Sequence, residues 1–312
     1  RQRQMCIRDS HYTNKVKEFA KATHQPKYYY FAWANRLITY YLKTSRTNIA
    51  LYEVQNMLKE AQEEDDKTGL SRCYNIMSQI YTIKRFDSMA FEWRLKEIEL
   101  TEKYKIENYN ISQTYAQIAN YYINQKKQKE ALAAVEKAIA TANSSTQQIS
   151  AKLEFVNYYS KFGDFQAAEK LLKECQAAFE QDKRLESIKK RLYNIECLYY
   201  QQTKQYPKAL EAAKMQEKEE RRLSESILSS SHYRTQGEIY QKMGNMNLAV
   251  KYLQMYINTD DSLKIANEQV ASSEFATLLN VEKLNAEKKE LMLQAQEKEL
   301  HNNCLLYTSD AA

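Results

Sequence analysis

The chain has 312 residues, 43% apolar and 28% charged, and its formal net charge of +6 is spread over interspersed signs. Four Gly and two Pro in the whole length all but exclude phosphate-cradling loops and predict nearly unbroken helix. No run of eighteen apolar residues occurs, since the densest stretch, 28–42, is interrupted by Asn35 and Arg36, so the sequence holds no membrane span of its own.

The two ends share one origin. Residues 1–10 read RQRQMCIRDS and residues 304–312 read CLLYTSDAA. DNA encoding the tail, reverse-complemented and read in another frame, encodes residues 2–9. Both ends therefore read as translated sequencing adapter and are set aside from fold reasoning. Residues 11–303 are then the native part, and attachment to a membrane is a matter for sequence beyond residue 303.

Within that part, residues 11–26 read as the remnant helix of a truncated repeat, ended by His24-Gln25-Pro26. Helical periodicity predicts a pair over 28–43 and Thr47–Glu63, with Ala50, Val54 and Met57 inward. A polar loop ending in Gly69 follows, as expected after a helix C-terminus. The next pair, 70–84 and Asp87–Tyr104, is degenerate, with Met77, Ile80, Phe86, Met89 and Trp93 as its anchors.

From there a pattern recurs: a small residue, two others, Tyr, then an Ala flanked by apolar partners. It reads Ala119, Tyr122, Ala131; Val156, Tyr159, Gly163, Ala168; Cys197, Tyr200, Ala209; and Gly237, Tyr240, Gly244, Ala249. The alanines are 37, 41 and 40 residues apart. A period in this range marks a solenoid, in which each unit buries its face only against its neighbours.

On these residues the region 27–259 resembles the tetratricopeptide repeat (TPR) family. The resemblance implies an all-α, right-handed TPR-like solenoid of about six helix pairs, with first helices lining a concave face. The units are longer than the usual thirty-four residues of such repeats and lack Pro at their ends. After Asp260-Asp261-Ser262, a plausible helix start, the sequence changes to Glu, Lys, Gln and Leu without Gly or Pro. Residues 260–303 are expected to form one long helix leaving the array, with Val281, Leu284, Leu291 and Ala295 as a weak seam interrupted by Lys288. It resembles the stalk that joins a periplasmic TPR array to a membrane helix in bacterial sensor proteins, where a histidine kinase or a helix-turn-helix effector follows.

No nucleotide, zinc-protease or C-x-x-C motif is present, so this segment is not expected to be an enzyme, to use a cofactor or to hold a metal. Cys73, Cys175 and Cys197 sit at inner positions and read as small hydrophobes. The basic cluster 124–130 reads as a solvated loop, and no nucleic acid partner is expected. The remaining candidate is the concave face, on which Asn75, Gln117, Asn120, Asn124, Asn157, Gln201 and Arg234 project. Amides offer donors and acceptors together, which suits an extended peptide or protein partner. Asn120 and Asn157 stand out because they occupy equivalent places in successive units. Arg36 and Arg234 are too far apart for a carboxylate clamp. Self-association as a homodimer is expected, if anywhere, through the 263–303 helix. The function implied is a sensory binding module of a membrane-bound regulator on the periplasmic side of a bacterial inner membrane. The alternative is a cytoplasmic adaptor that assembles partners.

Overall fold

The computed structural model describes residues 13, 15–38, 41–42, 46–223 and 230–309. The adapter reading of residues 1–10 therefore lies outside the described residues, as do residues 310–312 and the side chain of Arg36. Every described element is helical. Residues 15–22 are helical and leave Val16 and Phe19 exposed. In chain order there follow α1 (Pro26–Ala32), α2 (Thr47–Glu63), α3 (Lys67–Ile83), α4 (Asp87–Tyr104), α5 (Ile111–Asn124), α6 (Gln128–Ala140), α7 (Ser145–Phe162), α8 (Phe165–Gln181), α9 (Lys189–Gln202), α10 (Tyr206–Leu223), α11 (Ser231–Lys242) and α12 (Met246–Ser309). A 3-10 turn, Lys183–Ile188, leads into α9.

Consecutive helices pack as antiparallel pairs from α3/α4 to α11/α12, and α5, α7 and α9 pack side by side as an inner layer. The core is a string of clusters, each drawing on neighbouring units, as a solenoid requires. The chain is thus an all-α, TPR-like solenoid, with six helix pairs among the described residues. The expected single helix over 28–43 differs in detail. After α1 the backbone widens to a π-helical stretch, Trp33–Ile38, which shifts the 3.6-residue register.

The turn inside each pair shows why the repeat sequence recurs. The carbonyl of the pattern Tyr accepts from the amide five residues on, a C-terminal capping bond. Tyr122 accepts from Lys127 (3.0 Å), Tyr159 from Asp164 (3.0 Å), Tyr200 from Gln205 (2.8 Å) and Tyr240 from Asn245 (3.0 Å). The same bond occurs from Arg46 to Tyr41 (2.8 Å) and from Phe86 to Tyr81 (2.9 Å). Nine residues after each Tyr stands an alanine no more than 2% exposed: Ala50, Ala90, Ala131, Ala168, Ala209 and Ala249. Six units therefore share one register. The second is regular, and the expectation that Phe86 and Met89 anchor it is corrected: they are 55% and 40% exposed, while Ala90 fills the contact. Small residues are required here because the two helices of a unit cross closest at this point.

Four residues after the Tyr, in the five units where that residue is described, the backbone is left-handed. Gly163 (φ 93°) and Gly244 (φ 78°) adopt this conformation freely, but Arg85 (φ 62°), Lys126 (φ 57°) and Lys204 (φ 60°) occupy the same place. A left-handed non-glycine residue costs about 1–2 kcal/mol, partly offset in a Gly variant by its looser unfolded chain. Lys204→Gly is expected to stabilise by about 0.5 kcal/mol, read as a higher denaturant midpoint at unchanged slope. A lowered midpoint would show that the lysine makes a compensating contact.

One boundary is corrected. The expected helix start at 260–262 is absent, because α12 runs unbroken from Met246 to Ser309. The second helix of the sixth pair and the stalk are one 64-residue element, roughly 95 Å long at 1.5 Å per residue. It continues through residues 304–309, where the sequence reads as adapter. Among the described residues no helix is long and apolar enough to cross a membrane.

Candidate functional site

The first turn of a helix leaves amides without intrahelical partners. Several helices here answer them locally: Asp66 accepts from Gly69 (2.8 Å) at α3, Ser144 from Gln147 (3.3 Å) at α7 and Asp164 from Ala167 (3.1 Å) at α8. Helix α2 does not, since Arg46 stands at its N-cap and supplies no side-chain acceptor. Its acceptor comes from α12. The Glu274 carboxylate accepts from the Asn48 side-chain amide (2.7 Å), from the Asn48 backbone amide (3.3 Å) and from the Ile49 amide (3.5 Å). Lys84 fixes the arrangement by donating to Asn48 Oδ1 (2.7 Å). A cap of this kind contributes about 1 kcal/mol.

Farther back along α12, Asp260 accepts from Ser230 (2.8 Å) and lies 3.8 Å from the Arg85 guanidinium. Between these two ties a cavity of about 680 Å³ opens, with α12 as one wall and the start of α2 and the α3–α4 turn as the other. Ile83, Leu263 and Ala271 give it apolar surface, Lys84, Arg85 and Lys264 positive charge, and Glu220, Asp260 and Glu268 negative charge. Lys190 holds Glu220 in place at 2.7 Å. A cleft of this size, with polar groups of both signs on an apolar floor, suits an extended chain that brings both backbone groups and side chains.

The concave amides are not gathered into this cavity. They lie on α3, α5, α7, α9 and α11, and several are already engaged. Asn75 donates to both Glu97 oxygens (3.1 Å each) and accepts from Gln79 (2.7 Å). Gln117 accepts from Arg94 (2.7 Å), which also donates to Thr82 (2.6 Å). Asn157 is buried and donates to Glu154 (3.4 Å), itself paired with Arg191. Gln201 donates to Cys197 Sγ (3.3 Å), and Arg234 pairs with Glu238 (2.8 Å). Asn120 and Asn124 bond each other at 2.9 Å on the surface. Asn120 and Asn157 do occupy equivalent places, two residues before the unit's Tyr, but only Asn120 reaches the surface. Asn75 also lines a smaller cavity of about 170 Å³ with Arg72, Glu97 and Asn108.

Asn48, Lys84 and Glu274 were not singled out from sequence. No sequence signal marked them: Thr44 and Ser45 stand just before Thr47, so the missing local cap of α2 shows only in the structure. The three cysteines behave as the sequence suggests. Cys73, Cys175 and Cys197 are buried, and burial pushes the Cys73 thiol up to about 12 and that of Cys175 up to about 11, which keeps them protonated and unreactive at neutral pH.

No known family matches the chain by sequence, and no curated protein matches it. Solved structures resemble it at low identity. The complex of NprR with its cognate peptide NprX superposes with a TM-score of 0.57 at 13% identity, over 74% of this chain and 66% of that one. The Rap protein complexed with Competence and Sporulation Factor gives 0.54 at 14% identity, over 82% and 80%. A tetratricopeptide repeat protein from Parabacteroides merdae gives 0.51 at 14% identity, over 84% and 91%. At these identities the likeness establishes the TPR-like solenoid.

Proposed function

We propose that this chain is a peptide- or protein-binding module whose recognition site is the groove between α12 and the first two helix pairs. The observation that carries this is the cavity of about 680 Å³, which is the largest of those named above and carries mixed charge on an apolar floor. Two of the similar folds, NprR and Rap, were solved with a peptide and with Competence and Sporulation Factor respectively, which supports an extended chain as the ligand.

Capture from an immobilised random decapeptide array tests this reading. The wild-type protein is expected to select a recurrent sequence, and Leu263→Arg with Asn267→Ala, both on the groove wall, is expected to bind it at least about tenfold more weakly, since a buried charge and a lost amide each cost 1 kcal/mol or more. Asn120→Ala with Asn124→Ala, on the exposed inner face, is the matched control and should bind as wild type. Equal binding by the groove variant would move the interface elsewhere.

The same reading makes the array the sensory part of a bacterial membrane-bound regulator, facing the periplasm, with α12 as the element that leads to an effector. The unbroken length of α12 supports it, because a single rigid helix carries a displacement from the groove over tens of ångströms. A full-length gene with a membrane helix after α12 supports the regulator; one without favours a cytoplasmic adaptor.

A further inference from the structure

The tie between α12 and α2 joins residues 226 positions apart, and its composition is unusual. Beyond Ala249, Glu274 is the one buried side chain among the described side chains of α12, at 3% exposure. The segment from Asp260 to Glu274 runs along the groove as its wall, roughly 20 Å at 1.5 Å per residue, with its apolar residues only half covered: Leu263 and Ala271 are partly exposed and Ile265 is 57% exposed. Helix packing that is meant to be permanent buries an apolar stripe. Here the closing contact is a carboxylate on helix amides and one asparagine, with Lys84 behind.

We propose that Glu274 is a latch. It holds the α12 wall against α2 and the α3–α4 turn in a closed, narrowed state, Asp260 with Ser230 and Arg85 forms the pivot, and ligand entry requires the Glu274 cap to be released so that this wall can move outward. This rests on the groove being the recognition site. The physical basis is the modest strength of the contact. One cap biases closed over open by about fivefold, a gap small enough for a ligand with different affinity for the two states to reverse. It also gives α12 two positions relative to the first units, which a transmitting element requires.

The test uses the free protein first. In Glu274→Ala, the amides of Asn48 and Ile49 are expected to exchange with solvent about threefold faster, while amides within α7 keep their wild-type rates. Groove access is read separately by maleimide labelling of Ala271→Cys, a half-covered position in the groove lining, in a Cys6→Ser, Cys304→Ser background. The remaining three cysteines are buried. Labelling is expected to accelerate by a similar factor. Glu274→Gln, which keeps one acceptor, should fall between, and it replaces Glu274→Ala as the reading if exchange in the alanine variant rises throughout the chain. Wild-type exchange at Asn48 and Ile49 together with wild-type labelling would overturn the latch. In the second arm, a decapeptide captured by the wild-type protein is expected to bind Glu274→Ala about threefold more tightly, because the open fraction rises from about one sixth to about one half. Unchanged affinity would overturn the gating. Absence of any captured peptide refutes the groove as a recognition site and leaves the exchange result to decide the latch.

Discussion

A Gly69→Val variant is expected to lose about 2–3 kcal/mol of stability, although valine is intrinsically the better helix former by a few tenths of a kcal/mol. Gly69 sits in the first turn of α3 with its amide bonded to the Asp66 carboxylate (2.8 Å). A Cβ there would stand 2.7 Å from two ring carbons of Tyr30 and 2.9 Å from a third. That ring cannot retreat. Tyr30 is fully buried, lies edge-on to Tyr29 at 5.0 Å and donates its hydroxyl to Glu64 at 3.3 Å. The clash must therefore be relieved by moving α3 away from α1, which opens the first unit against the second. In a solenoid such damage stays local, so the loss should appear as faster amide exchange in α1, α2 and α3 with α7 and α8 unchanged. Gly69→Ala is the sharper comparison: a rise in melting temperature, as propensity alone would give, would show that the site has room.

How much of this was legible in the sequence follows from what each feature depends on. The repeat register depends on residues nine apart, and four units showed it directly. The other two were hidden for local reasons. In the second unit the pattern is present as Ser78, Tyr81 and Ala90, but the apolar Phe86 and Met89 beside it, which turn out to be exposed, competed as anchors. In the first, the π-helical stretch Trp33–Ile38 precedes Tyr41 and breaks the helical period. The candidate site fared differently. A polar residue on a predicted inner face looks free in a sequence, whether or not a partner reaches it. Asn75 meets Glu97 from 22 residues away and Gln117 meets Arg94 from 23. Each pair joins two helices, so these residues act in the architecture. Glu274 meets Asn48 across nearly the whole array, and that pairing depends on the accumulated turn of six units, which no local pattern encodes.

Glu97→Ala is expected to be the most damaging substitution of a polar side chain, at about 2–4 kcal/mol. Glu97 lies on α4, which carries the contact between the second unit and α5 of the third. Its carboxylate is 1% exposed and gathers donors from three places: Asn75 on α3, Asn108 in the α4–α5 connection (2.9 Å) and Thr114 on α5 (3.4 Å). Alanine leaves the Asn75 and Asn108 amides without this acceptor, while Thr114 keeps the Asn110 carbonyl (3.4 Å), and a cavity of about 170 Å³ beside them lets water reach some of them, which is why the cost stays below that of an isolated buried charge. The pH dependence separates the two opposing effects on this group. Burial pushes the Glu97 carboxyl above its ordinary value of 4.5, outweighing the three donors that pull it down. The folded state then holds the proton more tightly than the unfolded chain, so this residue's contribution to stability is complete below about pH 4.5 and declines as pH rises toward the raised value. Glu97→Gln removes that slope: its stability relative to wild type should improve from pH 4.5 to pH 7, while Glu97→Ala is destabilised throughout. Denaturant midpoints measured across that range decide it. A wild-type midpoint for Glu97→Ala would mean that the three donors find other acceptors and that the second and third units are held together by apolar packing alone.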